Sequence, residues 1–179
     1  MNSKILLTLF ISFIMITSVI GFIWSSDSSD SSSEILEYNG YQFNNVNGKY
    51  VLELDNQGFV FDNSPYDVSD INVDDLRIES DKYYIIFDPE DKDLNLEYSI
   101  QKLYSILSSL NINVQFACSK EEGCEGDFPI KNCENYAFYL KKKDNAKIYK
   151  DNNCLVVEGD NQEISRSVDK INLKLLKVV

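Results

Sequence analysis

Apolar and polar positions divide the chain into three stretches: an uncharged apolar run from Ile5 to Trp24, the polar run SSDSSDSSSE from Ser25 to Glu34, and a remainder patterned like folded secondary structure. The twenty residues of the first run, at helical rise, span about 30 Å, the hydrocarbon thickness of a bilayer. A cleavable signal has a shorter apolar core of about 7–15 residues and then a small-x-small site. Val19-Ile20-Gly21 is a poor match, and the run continues to Trp24, a residue suited to the membrane interface. The pattern predicts a transmembrane anchor over residues 1–24, with a cleaved signal peptide as the alternative and a buried soluble helix as a third reading. Lys4 and the amino terminus are the only positive charges before Lys49, so the positive-inside rule places the N-terminus in the cytoplasm and the rest outside a single-pass cell membrane. Residues 25–34 read as a flexible tether with a reach of about 17 Å.

Residues 35–179 are enough for one domain with its own core. Asn39-Gly40, Asn47-Gly48 and Asp55-Asn56-Gln57-Gly58 separate short runs in which Tyr41 and Phe43, then Tyr50, Leu52 and Leu54, then Phe59 and Phe61 share a face. Asn-Gly suits two-residue hairpins, because both turn positions need positive φ. This predicts an antiparallel meander, ended by Asn63-Ser64-Pro65 and followed by an acidic loop from Asp67 to Asp75. Tyr83–Phe87 is continuously apolar, as in strands covered on both faces. Ile100, Leu103, Tyr104, Leu107 and Leu110 then form a helical stripe, and Val114–Cys118 is another strand, together a right-handed β-α-β crossover. Tyr136, Phe138 and Leu140 alternate before Asp144-Asn145, and Ile148-Tyr149 reads as the return strand of a late hairpin, followed by a short strand at Leu155–Val157. Asp160 and Glu163 open a final helix with Ile164, Val168, Ile171, Leu175 and Val178 on one face. The fold class expected is α+β, or mixed α/β, preceded by one transmembrane helix.

Charge narrows the partners. The net charge of −12 makes nucleic acid an unsuitable ligand. The distribution is polarised: Ser25 to Ile130 carries 22 acidic and 6 basic residues, whereas Lys131 to Val179 carries 10 basic and 7 acidic. Lys141, Lys142 and Lys143 with Lys147 and Lys150 read either as a patch for phosphate-rich ligands or lipid headgroups, or as the charged edge of a hairpin that discourages strand pairing.

Cys118, Cys124, Cys133 and Cys154 are spaced C-x5-C-x8-C-x20-C. An even count outside the membrane argues for two disulfides, and loop closure favours Cys118 with Cys124 and Cys133 with Cys154. A zinc site would show closer cysteine pairs, and a redox pair the C-x-x-C spacing; both remain alternatives. There is no histidine, which removes histidine-based nucleophile activation, metal ligation and acid catalysis together. Phosphate-binding glycine loops are also missing. Oxygen ligands alternate from Asp88 to Glu97 rather like a calcium loop, but without the turn glycine and with Lys92 among them. No catalytic, cofactor-binding or metal-binding residue is nominated, and no cofactor is expected.

The succession YYIIFDPED, a helix, NVQFACS, PIKNC, NNCLVVEGD and a closing amphipathic helix with Asp169, all behind one apolar segment, resembles a loose group of small membrane-anchored archaeal proteins from reduced genomes. The group carries no assigned activity, so the resemblance implies an anchored domain and no site residues. The function expected is a membrane-tethered extracytoplasmic interaction or structural module with a protein partner in the membrane or envelope. The alternatives are an extracytoplasmic enzyme using carboxylates or cysteine redox chemistry, and a divalent-cation-binding domain.

Overall fold

Paired positive-φ residues set the first half of the structure, a computed structural model that describes residues 34–73 and 76–179. Asn39 and Gly40 (φ 49° and 82°) join β1 (Ile35–Tyr38) to β2 (Tyr41–Val46), and Asn47 and Gly48 (φ 53° and 77°) join β2 to β3 (Lys49–Leu54). Asp55 and Asn56 make the third turn, into β4 (Gln57–Phe61). The four strands form an antiparallel sheet in sequence order, with Phe43 opposite Leu52 and Leu52 opposite Phe59. This is the meander expected from the turn residues. The apolar segment Ile5–Trp24 and the tether before Glu34 lie outside the described residues. Among the described residues no helix is long and apolar enough to cross a membrane.

A second sheet contains β5 (Lys82–Phe87), β6 (Asn113–Cys118), β7 (Ala137–Lys142), β8 (Lys147–Asp151) and β9 (Cys154–Gly159), in the order β6-β5-β7-β9-β8. β5 pairs in parallel with β6 and β7, and β7 in parallel with β9; only β8 is antiparallel. The expected crossover is present, with helix α1 (Leu94–Ser109) between β5 and β6. The late hairpin is present but one strand further on. β7 does not pair with the Ile148-Tyr149 strand, because β9 inserts between them. β7 buries Ala137 on one face and Phe138 and Leu140 on the other, as an interior strand must, whereas β8 exposes Lys147, Lys150 and Asp151 and suits an edge. The tight turn is at Asn152 (φ 49°), between β8 and β9, and not at Asp144-Asn145. Where β9 passes into helix α2 (Asn161–Leu175), Gly159 lies so close that a Cβ there would stand 2.8 Å from Cβ of Glu163.

The helices lie between the two sheets. Leu96, Ile100, Leu103 and Leu107 of α1 and Ile164, Val168 and Ile171 of α2 pack with Tyr83, Ile85, Phe87, Phe138, Leu140 and Val157 of the mixed sheet. Ile106 of α1 and Leu173 of α2 pack instead with Phe43, Leu52, Phe59 and Phe61 of the antiparallel sheet. Each helix therefore serves two cores. That is why the expected stripe on α1 is partly displaced: Tyr104 and Leu110 are exposed, and Ile106 and Lys102 are buried in their place. The face of the mixed sheet turned away from the helices carries its own small cluster, Ile86, Ala117, Ala137, Cys154 and Val156, overlaid by Tyr84, Tyr139 and Tyr149.

Two disulfides close the structure, Cys118–Cys124 with 6.0 Å between Cα atoms and Cys133–Cys154 with 5.0 Å. The second ties the connection before β7 to the first residue of β9. Asp93 caps α1 by accepting from the Asn95 and Leu96 amides, and Asp160 caps α2 by accepting from Glu163.

Candidate functional site

Two places concentrate polar chemistry: a knot of charged groups at the floor of a cleft beside the helix starts, and the outer face of the mixed sheet. The knot centres on Lys102, which the two-core arrangement of α1 carries inward to 9% exposure. Its Nζ donates to Asp62 Oδ2 and Asp169 Oδ1, both at 2.6 Å, and to Ser165 Oγ at 3.3 Å. Asp62 and Asn63 follow β4, Ser165 and Asp169 lie on α2, and Lys102 on α1, so the knot joins one sheet to both helices.

Asp169 is 0% exposed and both its oxygens are occupied. Oδ1 takes Lys102, and Oδ2 takes the Asp62 and Asn63 amides at 3.0 Å and Asn63 Nδ2 at 2.8 Å. Burial pushes its carboxyl above the ordinary value, while Lys102 and Asn63 pull the other way. Asp62 also loses water, yet hydrogen bonds from Lys102 and Lys49 hold it below the ordinary value. Two carboxyls displaced in opposite directions are the arrangement from which acid and base pairs are made. Here the geometry opposes that use: the raised one is sealed from any substrate and the lowered one is held by Lys49, Lys102 and Ser165. The knot is a clamp.

Above it opens a cleft of about 400 Å³ between the end of β4 and the first turns of both helices. Asn63, Asn95, Tyr98, Asn161, Gln162 and Ser165 are among its walls, with Lys49 and Asp62 paired at one side. Asp93 stands nearby at the start of α1, taking Asn161 Nδ2 and the Lys142 ammonium.

The acidic stretches from the sequence resolve into caps and ion pairs. Asp88 accepts from the Glu90 amide and pairs with Lys120, Asp91 accepts from the Lys142 amide, and Lys92 pairs with Glu97. Asp67 binds Ser64, and Asp70 pairs with Arg166; Asp74 and Asp75 lie outside the described residues. Among the described residues no three metal-ligating side chains gather in one place. All four cysteines are in disulfides, and none is a free thiol.

Asp93 offers a pH test. Lys142, the Leu96 amide and Asn161 hold its carboxyl well below the ordinary value of 3.8, and Asp62 is also lowered. Such groups contribute stability that is present above the unfolded value and is lost as pH falls through the folded value. Asp169, shifted upward, acts with the opposite sign in the window above 3.8. Urea unfolding is expected to show stability falling below about pH 4, with a smaller fall in Asp93→Asn, which keeps the cap without the titration. An equal fall in both proteins would rule out Asp93 as a contributor.

The outer face of the mixed sheet was not visible as a unit in the sequence. Tyr84 on β5, Tyr139 on β7 and Tyr149 on β8 point to the same side as Ile86, Ala137 and Val156. Ammonium groups lie over these rings: Lys82 and Lys131 each 4.9 Å from the Tyr84 centroid, Lys141 4.3 Å from Tyr139, and Lys147 4.6 Å from Tyr149. A hydrogen bond from Lys82, with Lys131 beside it, lowers the Tyr84 phenol below its ordinary value. Acids lie among them too: Glu158 accepts from Tyr149 OH at 3.1 Å with Lys141 at 4.0 Å, Asp151 is close enough to act on Tyr149, and Asp88 and Asp91 act on Tyr139. Among the described residues Lys82, Lys131 and Lys147 have no carboxylate within salt-bridge distance. The Lys141–Lys143 run does not act as one patch, because successive strand residues alternate: Lys141 lies on this face, while Lys142 pairs with Asp93. Nor does it edge a hairpin, since β7 is interior.

The chain matches no protein-family model, no curated protein and no solved structure.

Proposed function

We propose that the protein is a non-catalytic interaction module, held outside the cell membrane by its N-terminal apolar segment, that docks an acidic surface of a protein partner on the tyrosine–lysine face of its mixed sheet. The observation that carries this is the set of lysines laid over tyrosine rings without carboxylate partners, on a chain whose net charge is −12. Where acids outnumber bases, ammonium groups gathered on one face without a carboxylate in salt-bridge range supply complementarity and steering for an anionic partner. Tyrosine rings beneath them add the amphipathic contact area typical of binding surfaces. The occupied oxygens of Asp169, the absence of histidine and the bonded cysteines favour recognition over catalysis.

The test is chemical cross-linking with mass spectrometry on native membranes, comparing wild type with Lys82→Glu/Lys131→Glu/Lys147→Glu. The expected result is a cross-linked protein joined through an acidic segment, weakened by raised salt and reduced about tenfold or more in the triple variant. Equal cross-linking by the variant, or cross-links only to lipid, would refute the docking face.

A further inference from the structure

We infer that the cleft beside the helix starts is a binding site for an uncharged polyhydroxylated ligand, a neutral hexose unit, separate from the tyrosine–lysine face. At about 400 Å³ it falls within the range of small-molecule sites, about 300–1,000 Å³.

The wall chemistry selects the ligand class. Formal charges at the site cancel: Lys49 and Lys102 stand against Asp62 and Asp169, all mutually paired. A charged ligand would find no unpaired opposite charge here, whereas a neutral one needs none. What remains unused is hydrogen-bonding capacity of the amide kind. The side chains of Asn95 and Gln162 make no hydrogen bond to the described residues and are exposed at the cleft wall. Asn161 donates its Nδ2 to Asp93, and its Oδ1 is buried without a partner. A buried carbonyl oxygen left so is an unmet acceptor, and here it belongs to a residue that lines the cleft. Carboxamides offer donors and an acceptor together, which matches neighbouring hydroxyls that each donate and accept.

The remaining wall is Tyr98, 44% exposed, whose ring carries Lys49 and Lys102 at 5.6 and 5.4 Å from its centroid. A pyranose has a rim of hydroxyls and two C–H faces, and an aromatic wall beside a row of amides answers both. Tyr98 sits four residues before Lys102 on α1, so the clamp that joins the antiparallel sheet to the helices also fixes the ring.

The test uses the full chain in phosphatidylcholine nanodiscs, which contain no sugar headgroups, and saturation-transfer NMR with glucose, galactose, mannose, N-acetylglucosamine and their disaccharides. At least one is expected to bind with a dissociation constant of about 1 mM or below. Gln162→Ala, at an exposed position, and Tyr98→Ala, with its fold checked by circular dichroism because its ring lies against Lys102, are expected to weaken it about tenfold or more. Lys147→Glu, on the other face, should leave it unchanged, so this site and the protein-docking face fail separately. Absence of binding across the panel, equal binding by Tyr98→Ala, or tighter binding of glucuronate or glucose phosphate than of the neutral sugars would each overturn the assignment.

Discussion

Lys102→Met is expected to lower the unfolding free energy by about 3–5 kcal/mol, the usual cost of removing one member of a buried charge cluster. The methylene stem is replaced almost isosterically, so the loss comes from charge and not from packing. Asp169, 0% exposed, would keep three donors on Oδ2 but lose the Lys102 cation on Oδ1. Two further outcomes distinguish this from general damage. Burial already raises the Asp169 carboxyl, and loss of Lys102 raises it further. A carboxyl whose folded value lies above its unfolded value favours the folded state more as pH falls toward the unfolded value. The deficit of Lys102→Met should therefore shrink on acidification toward about pH 4. In the background of Asp169→Asn, which keeps a carbonyl for the backbone amides without a buried charge, Lys102→Met should cost less than it does alone. Additive losses in that double-mutant cycle would mean that the ion pair is not what holds the antiparallel sheet to the helices.

Removal of the Cys133–Cys154 bond is the second large effect. The bond spans a sequence separation of 21, and a closed loop of that length is worth about 3 kcal/mol in the chain-entropy account. For a domain of this size that is a fall in Tm of about 10 °C. Cys133→Ser/Cys154→Ser is thus expected to melt about 3 °C below Cys118→Ser/Cys124→Ser, whose loop spans only 6 and is worth about 2 kcal/mol. The Cys133–Cys154 bond also pins the start of β9 beside β7, where Asn153 N donates to Cys133 O and Ala137 N to Asn153 O. Its loss should speed hydrogen exchange at Ala137 and nearby β9 amides before it affects the four-stranded sheet. Calorimetry of the two double variants, with equal shifts or the reverse order, would contradict this account.

Local signals were legible in the chain and relational ones were not. Asn39-Gly40 and Asn47-Gly48 announce hairpins because the turn chemistry is contained in two residues. Asp160 announces a helix start for the same reason, and short loops favour the cysteine pairing found, though the spacing leaves all three connectivities open. The order β7-β9-β8 is different, because Asp144-Asn145 has the composition of a turn whether or not the strands it separates are neighbours. Lys102 offered no signal: on a helix it reads as a solvent-facing residue, and its partners Asp62 and Asp169 are 40 and 67 residues away. Only a helix packed between two sheets has a second face to bury, and that is a property of the assembled layers. The tyrosine–lysine face has the same origin. Tyr84, Tyr139 and Tyr149 each alternate with apolar neighbours, but they become one surface only through the strand order. The cleft draws on a strand end and two helix starts, so its amides are scattered among ordinary polar residues in the sequence.

Recognition through the outer face of the mixed sheet is tested most directly by placing a photo-reactive amino acid at Tyr149, on that face, or at Tyr66, an exposed position that packs against Tyr38 of the antiparallel sheet, and irradiating native membranes. The expected result is a discrete protein adduct from Tyr149 whose cross-linked peptide is acidic, absent from Tyr66 and lost when Lys82, Lys131 and Lys147 are changed to glutamate. Adducts of equal yield from both positions, or an adduct at Tyr149 that survives the charge reversal, would contradict it.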